Sequence, residues 1–329
     1  MPLSLRTLAD RSHFTLGSAI IAESTFLTDP TYQQLHAQHF NLLVPSNAMK
    51  CSTICAQPHH YDFSLADALV DCATQHQQAV RGHTLCWHAS YAPWMTTLTS
   101  LELEKVLRDY ITTLVERYRG RVYAYDVVNE AIKDTGYPRN SLWRSIENFI
   151  PKCFQWAHAA DPDAQLLYLD YRVHTVARWK AIAKMVRELK AAGIPIHGVG
   201  MQLHHELFRS LAVSNLRLAG TIRDLKQLGV SVHLCEVSIG IHKPTQNLAP
   251  AVKYKLQAQA YRQVLQAALN AGAASFNLWG FTDRYADPVP PERDPNDTPG
   301  LFDEQLQPKP AYYAIREALE QHANGLAVA

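Results

Sequence analysis

Two apolar stretches of the sequence each end with a glutamate that could do chemistry. The segment 121–134 reads RVYAYDVVNEAIKD, a β-type run that stops at Asn129 and Glu130. A second run, VSVHLCEV from Val230, carries Glu236 near its end. A strand buried on both faces is expected to be apolar throughout. A carboxylate at its C-terminal tip is therefore either incidental or placed there for use.

The chemistry that such a pair of glutamates suits is glycoside hydrolysis. One carboxylic acid protonates the departing oxygen, and the other carboxylate attacks the sugar or activates water. The alternative is that each glutamate only pairs with an arginine. Neither Glu130 nor Glu236 has a basic neighbour in sequence, and both follow buried-looking strands, so we favour catalysis. For Asn129, donation to a sugar hydroxyl and satisfaction of a backbone group are equally open.

The elements that must position these glutamates alternate along the chain. Helix-like segments such as 101–118, 176–192 and 254–271 lie between β-type runs, with Gly193 and Gly229 as helix stops. The β-type runs begin at Phe14, Phe40, Val80, Val122, Leu166, His197, Val230 and Ala274. Eight strand-helix units without a Gly- or Ser-rich linker predict an α/β fold, a single (β/α)8 TIM barrel. A doubly wound sheet is the alternative, but no nucleotide-binding fingerprint follows any strand.

We expect residues 1–329 to form one catalytic barrel domain, with 1–13 as a lead-in and 323–329 as a frayed tail. In such a barrel, the C-terminal ends of the strands form the active site. The predicted strand ends carry an unusual set of polar and aromatic residues: Ser46, Asn47, Lys50, His83, Trp87, His88, Asn129, Glu130, Asp170, Tyr171, Gln202, His204, Glu236, Trp279 and Asp283.

The histidines and tryptophans of this set have alternatives. His83, His88 and His204 could bind a metal, but no H-E-x-x-H motif is present, and residues 83 and 88 point to opposite faces of a strand. We therefore expect neither a metal nor a cofactor. Trp87 and Trp279 could belong to the core, although at strand ends flat amphipathic rings suit the apolar face of a sugar.

The composition argues against a nucleic-acid or membrane partner and favours a cytoplasmic location. The chain has 329 residues, 47% of them hydrophobic, and a net charge of +1, so we expect neither a nucleic-acid partner nor a membrane surface. Charges at Arg6, Asp10 and Arg11 argue against a signal peptide. The six cysteines have neither disulfide nor zinc spacing, which favours the cytoplasm. A trimmed secreted protein remains the alternative, and the oligomeric state stays open.

Six motifs in order carry a family resemblance: RGHTLCWH, YDVVNEA, HGVGMQLH, CEVSI, LWGFTDRY and GLFDEQLQPKPAYYAI. Together they resemble glycoside hydrolase family 10, the retaining endo-β-1,4-xylanases, from about Phe14 to Ile315. The resemblance implies that Glu130 is the acid/base and Glu236 the nucleophile, with carboxyl groups about 5 to 5.5 Å apart. It implies that Asn129 and His204 hold the nucleophile and the 2-hydroxyl region. The implied substrate-binding residues are Asn47, Lys50, His83, Trp87, Tyr171, Gln202, Trp279 and Arg284.

The sequence departs from the family at several sugar-binding positions. Where the family has T-E-N-E-M-K-W and W-H-x-Q, this chain has Ser46 for the first Glu and Ser90 for the Gln. In the N-D-Y-N motif, it has Leu169 and Arg172 for the two asparagines. Where the family has T-E-L-D, it has Ser238 for the Asp that supports the histidine at the nucleophile. The motif W-G-x-x-D-x-x-S-W loses its second Trp to Asp287.

The departures leave three interpretations. The first is an endo-β-1,4-xylanase that acts on short xylo-oligosaccharides. The second is a retaining β-glycosidase with a glycone other than xylose, and the third, less favoured because both carboxylates are kept, is a non-catalytic sugar-binding protein. The segment Arg284–Gly300 is expected either to fold over the barrel mouth or to be a spectator loop. Because residues 236 and 238 would share a strand face, we also expect Ser238 to reach His204.

Overall fold

The computed structural model describes residues 3–206, 213–241, 248–285 and 298–328. The strands are β1 Thr15–Ile20, β2 Leu42–Pro45, β3 Ala79–Gly82, β4 Cys86–Trp87, β5 Ala124–Asn129, β6 Gln165–Tyr171, β7 Gly198–Glu206, β8 Ser231–Gly240 and β9 Ser275–Leu278. The helices are α1 Leu5–Arg11, α2 Glu23–Thr28, α3 Pro30–His39, α4 Cys51–Ile54, α5 Ser64–Gln75, α6 Ser100–Arg117, α7 Phe149–Ala160, α8 Val176–Ala191, α9 Val213–Gln227, α10 Pro250–Ala271 and α11 Pro310–Val328.

The strands form one closed sheet. Their order is β3-β2-β1-β9-β8-β7-β6-β5-β4, and a further pairing of β3 with β5 closes it. Most strands are followed by a helix before the next strand, so the chain has the predicted (β/α)8 barrel fold. Two compact units are distinguished by internal contacts: Met1–Leu43, Gln202–Asp224 and Val232–Ala329 form one, and Val44–Met201 and Leu225–Ser231 form the other.

Local sequence signals set the helix ends. Helix α6 begins with a capping box in which Thr99 and Glu102 satisfy each other's backbone N–H groups. Helices α8 and α9 are each followed closely by a glycine with positive φ, Gly193 and Gly229. A left-handed residue at this place favours glycine, because other side chains clash there. Both predicted helix stops are therefore confirmed.

The predicted third strand is two strands, β3 and β4. In the intervening segment, the N–H of Leu85 and the hydroxyl of Thr84 both donate to the carbonyl oxygen of Asp126, at 2.9 and 2.8 Å. The ring of His83 turns to the Asp126 carboxylate, with Nδ1 2.9 Å from Oδ2. These contacts replace the regular ladder. The sequence pattern missed the break because it registers apolar content rather than side-chain bonds within the sheet.

Asp126 is a charged residue in the middle of β5, and its carboxylate is buried together with Arg81 and His83. Arg81 Nε donates to Asp126 Oδ1 at 2.9 Å. Burial by itself raises the pKa of the Asp126 carboxyl, but the Arg81 guanidinium and the His83 ring outweigh burial and hold the pKa below its usual range. The carboxylate therefore stays ionised inside the barrel wall.

Two further findings concern the chain as a whole. All six cysteines are buried free thiols. Among the described residues, no helix is long and apolar enough to cross a membrane.

A buried histidine on α3 gives a stability prediction. His39 packs against Phe302 and Tyr312, and burial lowers its pKa to about 4. Because the folded state binds this proton less well than the unfolded state, the free energy of unfolding is unaffected above about pH 6.5 and falls as the pH drops from about 6.5 to about 4. At about pH 5 the loss is about 2 kcal/mol.

We expect His39→Phe to remove this contribution. Urea unfolding of the wild type and the variant at about pH 7.5 and about pH 5 measures it, with the exposed His60 changed to Phe as the matched control. If wild type and His39→Phe lose the same free energy of unfolding between the two pH values, the histidine is not a source of acid sensitivity.

Candidate active site

Glu130 follows directly after β5, whose six residues are all buried, and its own side chain is 15% exposed. Its φ is 56°, a left-handed conformation that is uncommon for a residue other than glycine. The Glu130 N–H donates to the Leu169 carbonyl at 2.8 Å, and its carbonyl accepts from Arg139 Nε at 2.8 Å. These two bonds hold the backbone in the turn that directs the carboxylate out of the buried strand.

His88 is a titratable side chain beside the Glu130 carboxylate. Its Nδ1 lies 3.7 Å from Glu130 Oε2. Burial, with a smaller contribution from the positive charge of Arg139, lowers the pKa of His88 to about 4. The ring is therefore neutral near neutral pH, and it does not neutralise the Glu130 carboxylate. A neutral neighbour leaves Glu130 able to take and release a proton.

A second carboxylate, Asp170, lies near Glu130 at the end of β6. Asp170 is fully buried; it pairs with Arg178, accepts the Tyr168 hydroxyl at 2.6 Å and accepts the Tyr171 N–H at 2.9 Å. Burial raises the pKa of Asp170 to about 7; the charge of Glu130 adds to the rise, while Arg178 and Tyr168 oppose it. Two carboxylates that repel each other favour a proton on one of them.

The Tyr168 hydroxyl also connects Asp170 to the backbone beside Glu130. It accepts the N–H of Ala131 at 3.2 Å while it donates to Asp170. Tyr168 and Arg178 are themselves fully buried, so this cluster is fixed by packing. The residue after Glu130 is therefore held by a hydroxyl whose orientation Asp170 sets.

Asn129, predicted as a catalytic-site residue, is the last residue of β5. It is buried, and it stands opposite Trp87 of β4 on one side and Leu169 of β6 on the other. Because Trp87 pairs with Asn129, the end of the predicted third strand lies beside Glu130. Trp87 is half-buried, and its carbonyl accepts from Trp143 Nε1 at 2.8 Å.

Three predicted sugar-binding residues form one cluster beside β4. Lys50 Nζ donates to Asn47 Oδ1 at 3.0 Å and lies 4.7 Å from the centre of the Trp87 ring. Lys50 is buried, whereas Asn47 is exposed. An ammonium, an amide and an indole grouped in this way offer hydrogen bonds and an apolar face, a combination that suits a sugar ring.

Two serines at which we expected a departure from the family lie next to this cluster, and both are buried and hydrogen-bonded. Ser46 Oγ accepts from Asn47 Nδ2 at 3.1 Å. Ser90 Oγ accepts the Ser52 N–H at 3.1 Å and lies 3.0 Å from the Ser52 hydroxyl. Their hydroxyls thus bond to neighbouring groups of the protein.

His83 and Tyr171 have prominent partners within the protein. His83 is buried and bonded to Asp126 as described above. Tyr171 is half-buried; the Arg178 guanidinium lies 3.7 Å from its ring centre, and its hydroxyl accepts from Arg139 Nη2 at 2.6 Å. The Tyr171 ring therefore lies between two arginines, one of which, Arg139, also bonds to the Glu130 carbonyl.

Glu236 lies inside β8, where the register against β9 shifts between Leu234 and Val237. Its φ is 50°, and its neighbours in the strand are buried while its side chain is 11% exposed. The irregularity turns one glutamate out of a buried strand, as the end of β5 does for Glu130. His204 Nε2 lies 2.9 Å from Glu236 Oε2, so the predicted histidine does contact the predicted nucleophile.

Two other residues were expected near Glu236 and His204, namely Trp279 and Ser238, and only Trp279 contacts His204. Trp279 is half-buried and lies edge-on to His204, with ring centres 6.3 Å apart. Within the described chain, His204 Nδ1 is buried without a hydrogen-bond partner, so neither ring nitrogen bonds to Ser238. The expected reach from Ser238 to His204 is not formed, because the shift in β8 breaks the alternation on which it rested.

The remaining predicted residues lie at separate places. Gln202 is a buried residue of β7. Arg284 is exposed, and its Nε donates to the Glu304 carbonyl at 2.5 Å. Asp287 and most of the segment Arg284–Gly300 lie outside the described residues.

Sequence reasoning did not assign roles to His88, Arg139, Tyr168 and Asp170 around Glu130. His88 and Asp170 were visible as polar residues at strand ends. Tyr168 had no such signal, since a tyrosine in a buried strand reads as core. Arg139 lies nine residues after Glu130 in a loop, and only the folded chain brings its guanidinium back to that backbone.

Comparison with known proteins gives a consistent result. The model of glycosyl hydrolase family 10 matches residues 4–318. Endo-1,4-beta-xylanase B of Thermotoga neapolitana is 35% identical over 328 residues, covering 96% of this chain and 92% of its own. The beta-1,4-xylanase of Dictyoglomus thermophilum is 35% identical over 317 residues, covering 93% and 88%. Xylanase 10B of Thermotoga petrophila, solved with xylobiose, superposes with a TM-score of 0.92 at 34% identity, covering 98% and 99%.

The repulsion between Asp170 and Glu130 is testable by carboxyl NMR titration. We expect Asp170 to titrate near pH 7 in the wild type. In Glu130→Gln its pKa should fall, because a neighbouring negative charge is removed while Arg178 and Tyr168 remain. Glu104→Gln, a change on the outer helix α6, serves as the control and should leave the titration in place. An unchanged Asp170 midpoint in Glu130→Gln would show that the two carboxylates are not coupled.

Proposed function

Because this chain belongs to glycosyl hydrolase family 10, we propose that it hydrolyses β-1,4-xylosidic bonds of short xylo-oligosaccharides with Glu130 as acid/base and Glu236 as nucleophile. The protein is a glycoside hydrolase, and the relatives from Thermotoga neapolitana and Dictyoglomus thermophilum are xylanases by name. The observation that supports a catalytic pair is the shared setting of the two glutamates. Each has positive φ and turns a part-exposed carboxylate out of an otherwise buried parallel strand.

In the proposed mechanism Glu236 attacks the anomeric carbon while Glu130 protonates the departing oxygen. The bond from His204 Nε2 orients the Glu236 carboxylate. After the leaving group departs, Glu130 is ionised and removes a proton from water, which hydrolyses the glycosyl-enzyme. The neutral His88 ring leaves this proton on Glu130 or on water, because a ring with a pKa of about 4 does not compete for it.

A preference for short soluble substrates is supported by the setting of the protein. Six buried free thiols suit a reducing compartment, so we propose a cytoplasmic location. Polymeric xylan does not cross a membrane unaided, whereas short oligosaccharides are imported by carriers. An enzyme in that compartment therefore meets short chains.

A glycone other than xylose is the second candidate, favoured by the two buried serines. Ser46 and Ser90 stand where the family has a Glu and a Gln, and their hydroxyls bond to Asn47 and Ser52. Each lost sugar hydrogen bond costs roughly 0.5 to 1.5 kcal/mol of binding. A sugar with a different set of hydroxyls would lose less at these positions than xylose does.

The stereochemistry of the product tests the function. We expect ¹H NMR of xylotetraose hydrolysis to show the β-anomer first, because two successive displacements retain configuration. Glu236→Ala should abolish turnover of every substrate. Glu130→Ala should keep the first step for dinitrophenyl β-xylobioside, whose leaving group needs little protonation, and lose it for xylotetraose. Initial formation of the α-anomer would contradict the retaining mechanism, and equal losses on both substrates would contradict the role of Glu130.

The serine substitutions give a specificity prediction. Ser46→Glu should lower KM for xylotriose by roughly 2- to 12-fold, the range that one recovered hydrogen bond provides. Ser46→Ala is the matched control, since it removes the hydroxyl without adding a sugar-binding group. Kinetics on xylotriose, cellotriose and xylan are compared for all three proteins. Should Ser46→Glu favour cellotriose or leave xylotriose unchanged, the pocket is not a weakened xylose site.

A further inference from the structure

The chain after Glu130 forms a tight hairpin with one buried and one open face. The Arg139 N–H donates to the Ala131 carbonyl at 2.7 Å, and the Lys133 N–H donates to the Tyr137 carbonyl at 2.8 Å. Between these bonds Ile132 pairs antiparallel with Pro138. Because side chains alternate across such a pair, Tyr137 and Arg139 lie on the same face, opposite to Ile132. Ile132 is buried, so the face with Tyr137 is directed away from the core.

Tyr137 is an exposed aromatic residue on this open face, with 72% of its surface accessible. A tyrosine offers a flat apolar ring and a hydroxyl, on which an amphipathic ligand such as a sugar can stack. The alternative is a tyrosine that only covers the stem of Lys133 across the hairpin.

The hairpin is held firmly at both ends. At one end Arg139 donates to the Glu130 carbonyl and to the Tyr171 hydroxyl. At the other end the turn packs against α8, where a Cβ placed on Gly136 would lie 2.9 Å from the Ala177 carbonyl oxygen. The φ of Gly136 is 83°, which also requires glycine. An aromatic side chain on a rigid support loses little entropy when it binds.

The order of strands gives the direction in which this platform lies. Glu130 ends β5, which pairs with β4 on one side and β6 on the other. The β4 side carries the cluster of Asn47, Lys50 and Trp87. The β6 side carries Tyr171, to which Arg139 connects the hairpin. Since the proposed acid protonates the oxygen of the leaving sugar, the leaving group needs its own surface next to Glu130, apart from the cluster of Asn47, Lys50 and Trp87, which we place on the glycone side.

We propose that Tyr137 is a specificity-determining residue that binds the outer sugars of the leaving group and so sets how long a departing chain the enzyme prefers. The inference rests on the proposed function and adds a binding residue that lies beyond Tyr171. Several residues of the hairpin separate Tyr137 from Glu130, so a sugar that stacks on the Tyr137 ring lies away from the bond that is cleaved. Its contribution therefore requires a leaving group of more than one sugar.

The test compares two substrates that both have xylose units on the glycone side and that differ in leaving group. Dinitrophenyl β-xylobioside has a one-ring leaving group, while xylohexaose extends well past the cleaved bond. For Tyr137→Ala we expect the ratio of kcat/KM on xylohexaose to kcat/KM on the aryl xylobioside to fall by about 3- to 10-fold, chiefly through KM, the range that an aromatic contact provides. End-labelled xylohexaose should be cut nearer to its reducing end.

Two variants serve as controls. Tyr137→Phe keeps the ring and should restore the ratio, whereas Tyr313→Ala removes an exposed tyrosine of α11 and should leave the ratio unchanged. An unaltered ratio and cutting pattern in Tyr137→Ala, with an active wild type, would overturn this inference alone. A wild type that cleaves neither substrate would overturn the proposed function and this inference with it.

Discussion

A carboxylate can be buried in the middle of a β-strand only if positive or donor groups surround it. Asp126 is such a carboxylate, and its partners lie in β3 and in the segment between β3 and β4. Arg81 and His83 both bond to its carboxylate, and its carbonyl takes two more bonds from Thr84 and Leu85. Removing one partner from such a cluster leaves an uncompensated buried charge, which typically costs 3 to 5 kcal/mol. The break in the third strand coincides with the residues that bond to Asp126.

That break has a direct effect on the active site. After it, the chain resumes as β4, in which Cys86 pairs with Val128 and Trp87 with Asn129. The indole beneath Lys50 is thus set at the height of Glu130 by bonds made lower in the same strand. The cluster of Asn47, Lys50 and Trp87 and the proposed acid/base Glu130 thus lie above one buried ion pair that neither touches.

The sequence was sufficient to predict the barrel, because buried parallel strands and amphipathic helices differ in period and carry clear stop signals. It also predicted that His204 contacts Glu236. It was wrong about a single third strand and about the reach of Ser238, and the causes are related. Both expectations assumed regular alternation along a strand, while the strand register shifts next to Glu236 and the third strand breaks at His83. Local irregularities that depend on distant partners leave no periodic signal.

The left-handed backbone of Glu130 and Glu236 has a consequence for how this protein can change. A residue other than glycine in that region costs of order 1 to 3 kcal/mol, and the rest of the fold must hold it there. Glycine at either position would relax the backbone, so stability alone gives no reason to keep a glutamate there. The strain at both positions is a cost in stability that the proposed demand for catalysis would explain. A lineage freed from that demand would lose these two residues early, long before its core changed.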